Sequence, residues 1–97
     1  MDKEITKVIF KKWPDGDVIA VFPELLGDYS PHTCLSYEHV GQHSAANVSF
    51  MASLYPAKPA EYADLKEELE SQGYNLKVCH KFTLAMHKVR VALLKVA

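Results

Sequence analysis

The sequence predicts an α+β domain: a two-layer, mainly antiparallel β-sheet in the order β-β-β-β-α-β, with one helix at about 59–72 packed on one face. Three observations carry that reading. A β-branched and aromatic run over 5–13 breaks at Pro14-Asp15-Gly16-Asp17 and resumes over 17–22, the pattern of a hairpin. A helical segment opens on Pro59 and stops at Gly73. The early connections are of hairpin length, which favours antiparallel neighbours because parallel strands need long crossovers.

In the first turn proline presets φ, aspartate bonds locally and glycine accepts a positive φ. Pro23 ends the second strand, and 24–31, with Gly27, Asp28 and Ser30, reads as a surface loop. A third strand is expected over 32–38, leading into a glycine-centred turn. In 47–55, Val48, Phe50, Ala52 and Leu54 alternate with polar or flexible neighbours and predict a strand, although Val48, Met51 and Tyr55 also fit helical spacing. Pro59 suits the first helical position, Glu61 and Asp64 complement the positive end of the helix dipole, and Tyr62, Leu65 and Leu69 form an apolar stripe. Gly73 is placed to end this helix in the left-handed conformation and to bring Tyr74 back onto Leu69. A last strand is expected over 75–83. In the tail, Ala85, Met86, Val89, Ala92, Leu93 and Val96 share a helical face, which predicts a C-terminal helix.

Ninety-seven residues, 48% apolar and 24% charged, form a single α+β domain spanning 1–97. No apolar run approaches a membrane span and the N-terminus lacks a signal-peptide layout, so a cytoplasmic protein with no membrane partner is expected. Cys34 and Cys79 form no CxxC motif and read as small buried hydrophobes. On the first strand Val8 and Phe10 oppose Ile5, Lys7, Ile9 and Lys11, and on the second Val18, Ala20 and Phe22 oppose Ile19 and Val21. The second face is thus neither clean core nor clean exterior but an apolar patch rimmed by lysine, and we expect the C-terminal segment or a second copy of the chain to cover it.

The densest chemistry lies between Cys34 and Ser44. Cys34, Ser36, Tyr37, Glu38, His39, Gln42 and His43 are the ligand or interaction candidates, because groups of this kind are costly to bury unless each finds a partner. His32, Cys34, His39 and His43 supply four zinc-type ligands, although H-x-C-x4-H-x3-H matches no strong finger pattern. A nucleophile from Cys34 or Ser36, a histidine base and Glu38 are present as parts, but no oxyanion element or nucleophile elbow accompanies them, so no catalytic residue is assigned.

Charge is uneven. Residues 13–76 hold ten acids against Lys58 and Lys66, whereas beyond Glu70 the chain has Lys77, Lys81, Lys88, Arg90 and Lys95 and no acid. Lys7, Lys11, Lys77 and Lys81, with Trp13 and Phe10 near, are candidates for nucleic-acid binding through a basic sheet face. Solvated surface lysines give the same count.

Residues 7–10, Trp13 to Glu24, Cys34 to His43, and Pro59 to Leu65 with 68–71 together resemble a group of small uncharacterised bacterial proteins found in phage and mobile-element contexts. The resemblance spans most of 7–82 and leaves out the tail. It implies an intracellular accessory protein and carries over no catalytic residue. The expected role is protein–protein interaction or self-association, with nucleic-acid binding and a zinc site as alternatives.

Overall fold

The computed structural model describes residues 4–38 and 42–95. Strands β1 (Ile5–Lys12), β2 (Val18–Phe22), β3 (Thr33–Glu38) and β4 (Gln42–Asn47) form an antiparallel meander. Helix α1 (Val48–Ser53), the short β5 (Tyr55–Pro56), α2 (Pro59–Ser71), β6 (Asn75–Cys79) and α3 (Leu84–Leu94) follow. Across the sheet the order is β4-β3-β2-β1, and β5 and β6 share the far side of β1. β6 runs parallel to β1 with Val8 beside Val78, while β5 pairs antiparallel at Lys11 and Lys12. The sheet is thus antiparallel throughout except for the β1–β6 pair, whose crossover runs through α2.

The β1–β2 hairpin forms where the sequence places it. Trp13 and Asp17 close the turn, the Trp13 N–H donating to the Asp17 carbonyl at 2.8 Å, and Gly16 adopts φ +99°, which a side chain would disfavour. Val8, Phe10, Ala20 and Phe22 lie on one face, Ile9, Ile19 and Val21 on the other. α2 packs on the first face through Leu65 and Leu69, both fully buried and each contributing roughly 1.5–3 kcal/mol of hydrophobic stabilisation. The helix ends in a Schellman arrangement: Gly73, at φ +102°, donates to the Glu70 carbonyl, and Tyr74 donates to that of Leu69. Tyr74 is thereby folded back onto the core.

The expected two-layer unit of sheet and α2 is present, and further helices lie on its other face. Met51 and Leu54 of the α1 segment bury against Ile9, Ile19, Val21 and Cys34, with Phe82 beside them, and the guanidinium of Arg90 in α3 lies near Cys34. The C-terminal segment thus helps to cover the second face, with α1 as the other cover.

Three local expectations are corrected. The fourth strand is Gln42–Asn47, and 48–53 is a helix where alternation predicted a strand. Asn47 accepts from the Phe50 N–H at 2.9 Å as its N-cap, and the buried positions Met51 and Leu54 follow helical spacing while Phe50 and Ala52 face outward. The last strand stops at Cys79, so Leu76 and Val78 face the α2 layer while Phe82 crosses to the other. α3 buries Met86 and Arg90, and Ala85, Val89 and Ala92 of the expected apolar stripe are exposed.

Candidate functional site

Side-chain alternation along β3 divides the candidate cluster between the two faces of the sheet. Leu35 and Tyr37 point toward α2, and Cys34, Ser36 and Glu38 point away from it. The β3–β4 register carries the division across the hairpin, setting His43 opposite Tyr37, Ser44 opposite Ser36 and Ala46 opposite Cys34. Gln42 pairs with Glu38 at the end of the ladder, and His39 lies outside the described residues.

On the α2 side a polar cluster assembles at the sheet margin. The Tyr37 hydroxyl donates to Glu68 Oε2 and accepts from Gln72 Nε2 at 2.7 Å. His43 Nε2 lies 2.8 Å from the Tyr74 hydroxyl, and the Tyr37 and His43 rings are 4.8 Å apart. Phe22 stacks beneath Tyr74 at 5.2 Å. The hydrogen bond to the Glu68 carboxylate, then burial, raises the Tyr37 pKa above its ordinary value, and burial alone raises that of Tyr74. Sequence reasoning found Tyr37 and His43 but missed Glu68, Gln72 and Tyr74. The available signals were the i, i+4 spacing of Glu68 and Gln72 and the return of Tyr74 after Gly73.

On the opposite side the groups satisfy one another. Ser36 Oγ donates to the Ser44 carbonyl at 3.0 Å, and Glu38 Oε1 accepts from Trp13 Nε1 at 3.1 Å. Cys34 is wholly buried, and desolvation pushes its thiol up to about 11 against the pull of Arg90, so thiolate chemistry is suppressed near neutrality. Neither Cys34 nor Ser36 can meet His43, because the sheet stands between them. Both cysteines are free: β3 and β6 are separated by β2 and β1, roughly 14 Å at strand spacing, beyond disulfide reach.

The same separation bears on the zinc set. Cys34 and His43 face opposite ways, and His32 is exposed before β3. Among the described residues no group of three or more His, Cys, Asp or Glu side chains is placed to hold a metal ion.

The basic sheet face is corrected in its geometry. Lys7 pairs with Glu24 at 3.1 Å, Lys77 sits beside Lys7 in the parallel register, Lys81 is exposed beyond the end of β6, and Lys11 is 7% exposed with its Nζ 3.4 Å from the Leu54 carbonyl. α1 and the C-terminal segment occupy the face that these lysines share. Phe10 is buried on the other face, stacked on Tyr62 at 4.2 Å, and Trp13 packs near Phe50 at 5.7 Å. An open sheet platform of lysine and aromatic side chains is therefore absent among the described residues.

Among the described residues, what stays open is the β4 edge. The Val48 N–H donates to the His32 carbonyl at 2.9 Å, which sets the phase of the β3–β4 ladder. Residues 42, 44, 46 and 48 thus bond inward, and His43, Ala45 and the Asn47 N–H turn their main-chain groups outward. His43, Ser44, Ala45 and Asn47 are solvent-exposed, and β4 carries no lysine, proline or charged carboxylate to guard it. The outer strand at the other margin, β6, has the exposed Lys77 at its centre.

Comparison with protein-family models, with curated proteins and with solved structures found no match for this chain. No helix among the described residues is long and apolar enough to cross a membrane.

Proposed function

We propose that this is a small cytoplasmic accessory protein that acts through protein association, and that its contact is main-chain pairing along β4 with a second copy of the chain. The unguarded outward groups of His43, Ala45 and Asn47 carry the reading, since an uncovered strand edge is a template for another strand. An antiparallel twofold centred on Ala45 sets Ala45 against its own copy and His43 against Asn47, with small side chains between and no like charges facing. The phage or mobile-element setting implied by the resemblance, and the free thiols of Cys34 and Cys79, fit such a role in a reducing compartment.

The strength follows from counting bonds. Such pairing offers about four main-chain hydrogen bonds, together ~2–6 kcal/mol, which does not by itself cover an association cost of ~4–15 kcal/mol; side-chain contact along the exposed strand has to add the remainder, so the pairing is weak. A concentration-dependent dimer is expected, not an obligate one. Light scattering across a concentration series tests it: the mass should rise toward twice that of the chain, and Ala45→Pro, which removes an outward N–H and leaves the inward ladder intact, should hold it at the monomer value with unchanged circular dichroism. A mass that never rises, or that rises equally in Ala45→Pro, would defeat the proposal.

A further inference from the structure

We propose that Lys11, His80 and Lys81 form a binding site for one phosphate group, free or carried as a monoester on a small molecule. The observation that prompts it is a cation without a countercharge among the described residues. Lys11 is 7% exposed, and its ammonium meets one carbonyl, that of Leu54, at 3.4 Å. An ammonium carries three N–H donors, and removing it from water is expensive unless an anion replaces the lost hydration. The ion pairs formed among the described residues, Lys7–Glu24, Lys12–Glu61 and Lys66–Glu70, do not include it.

Beside Lys11 lies a cavity of about 260 Å³ lined by Lys11, Ala52, His80, Lys81 and Phe82. None of these side chains is acidic, and two more of them can carry positive charge. The fold explains why they converge. β6 ends at Cys79, His80 and Lys81 occupy the bend that follows, and Phe82 returns to the core of the second face beside Met51 and Leu54. Phe82 thus anchors the bend against α1, with Ala52 leaving room at the helix surface.

Size and donor type select the ligand. Binding pockets for drug-sized molecules run from roughly 300 Å³ upward, so this one admits a single small group. Lysine and histidine act here as separate donors from a floor and a rim, an arrangement suited to a tetrahedral oxyanion; planar carboxylates are better matched by the guanidinium fork of arginine. A backbone phosphate of single-stranded nucleic acid is the rival occupant.

Titration of the ¹⁵N-labelled protein with inorganic phosphate and with phenyl phosphate, against sodium chloride at matched ionic strength, tests the proposal. Saturable shifts of Lys11, Ala52, His80, Lys81 and Phe82 are expected with both phosphates and not with chloride; tighter binding of phenyl phosphate assigns a monoester, and equal binding assigns free phosphate. Ala52→Glu, at an exposed helix position, places a carboxylate among the lysines and should weaken phosphate binding at least tenfold. Lys81→Gln, also exposed, should weaken it several-fold and serves if the first variant does not fold. Absence of saturable shifts, equal binding by the wild type and the variants, or binding of a single-stranded oligonucleotide at these residues when both phosphates fail would each overturn it.

Discussion

Replacing Arg90 by methionine should destabilise the fold by about 3 kcal/mol. The Arg90 side chain is 1% exposed on α3, and it donates to the Pro23 carbonyl at 2.6 Å, the Pro31 carbonyl at 3.2 Å and His87 Nδ1 at 2.8 Å. It therefore clamps both ends of the β2–β3 connection from residues 59 and 67 positions away in sequence. Methionine keeps most of the apolar stem but orphans the buried Pro23 carbonyl and the part-buried Pro31 carbonyl, and such a loss costs ~1–3 kcal/mol for a buried group and less for a part-buried one. The Arg90 Nε has no partner among the described residues, so removing the guanidinium also relieves one unmet donor and tempers the loss. A net of about 3 kcal/mol corresponds to a fall in Tm of roughly 12–24 °C for a domain of this size. Arg90→Lys should lie between the wild type and Arg90→Met, because one ammonium cannot span both carbonyls as a planar fork does. Urea unfolding followed by tryptophan fluorescence and circular dichroism measures these differences. An Arg90→Met midpoint equivalent to within ~0.5 kcal/mol of the wild type, the ordinary range for surface changes, would refute the clamp.

Tyr37→Phe keeps the ring beside His43 but removes the hydroxyl between Glu68 and Gln72, so the urea midpoint should drop with an unchanged slope; an unmoved midpoint would mean that the cluster contributes nothing to stability. Gly27→Ala would set a Cβ 2.4 Å from the Cys34 carbonyl oxygen and 2.8 Å from Ala45 Cα, so a loss of ~1–3 kcal/mol is expected where Gly→Ala at an open loop position would stabilise. Native protein at pH 8 should react with a thiol reagent at Cys79 well before Cys34, whose burial holds it protonated; equal rates would contradict that burial. The Cys34 thiol ionises near 9.0 when unfolded and at about 11 when folded. Between those values the folded chain binds more protons, so stability should fall as pH rises through the window, with Tyr37 and Tyr74 adding in the same direction; a flat profile in alkaline unfolding would contradict it.

What was legible in the sequence was local. The β1–β2 hairpin is written in Pro14-Asp15-Gly16, and the end of α2 in Gly73 and Tyr74, because turn and cap conformations depend on neighbours within a few residues. The apolar content of Ile9, Ile19 and Val21 announced a second covered face. α1 was not legible, since it is only six residues long, too short for periodicity to outvote the alternation that overlies it, and its one clear signal was the capping Asn47. Arg90 is only one of the cations beyond Glu70 in the sequence, because a hydropathy pattern has no means of marking a buried arginine that serves distant carbonyls. The site was half legible. Tyr37 and His43 stood out in one segment, yet strand parity parted them from Cys34, Ser36 and Glu38, and their partners Glu68, Gln72 and Tyr74 arrive from more than thirty residues downstream.

Amide hydrogen exchange along β4 at increasing protein concentration tests the association directly. The amides of His43, Ala45 and Asn47, which have no partner within β3, should exchange fast when dilute and slow progressively as the concentration rises. Fast exchange at these three positions at every concentration, in a sample whose inward-bonded Ser44 and Ala46 amides are protected, would contradict pairing at this edge.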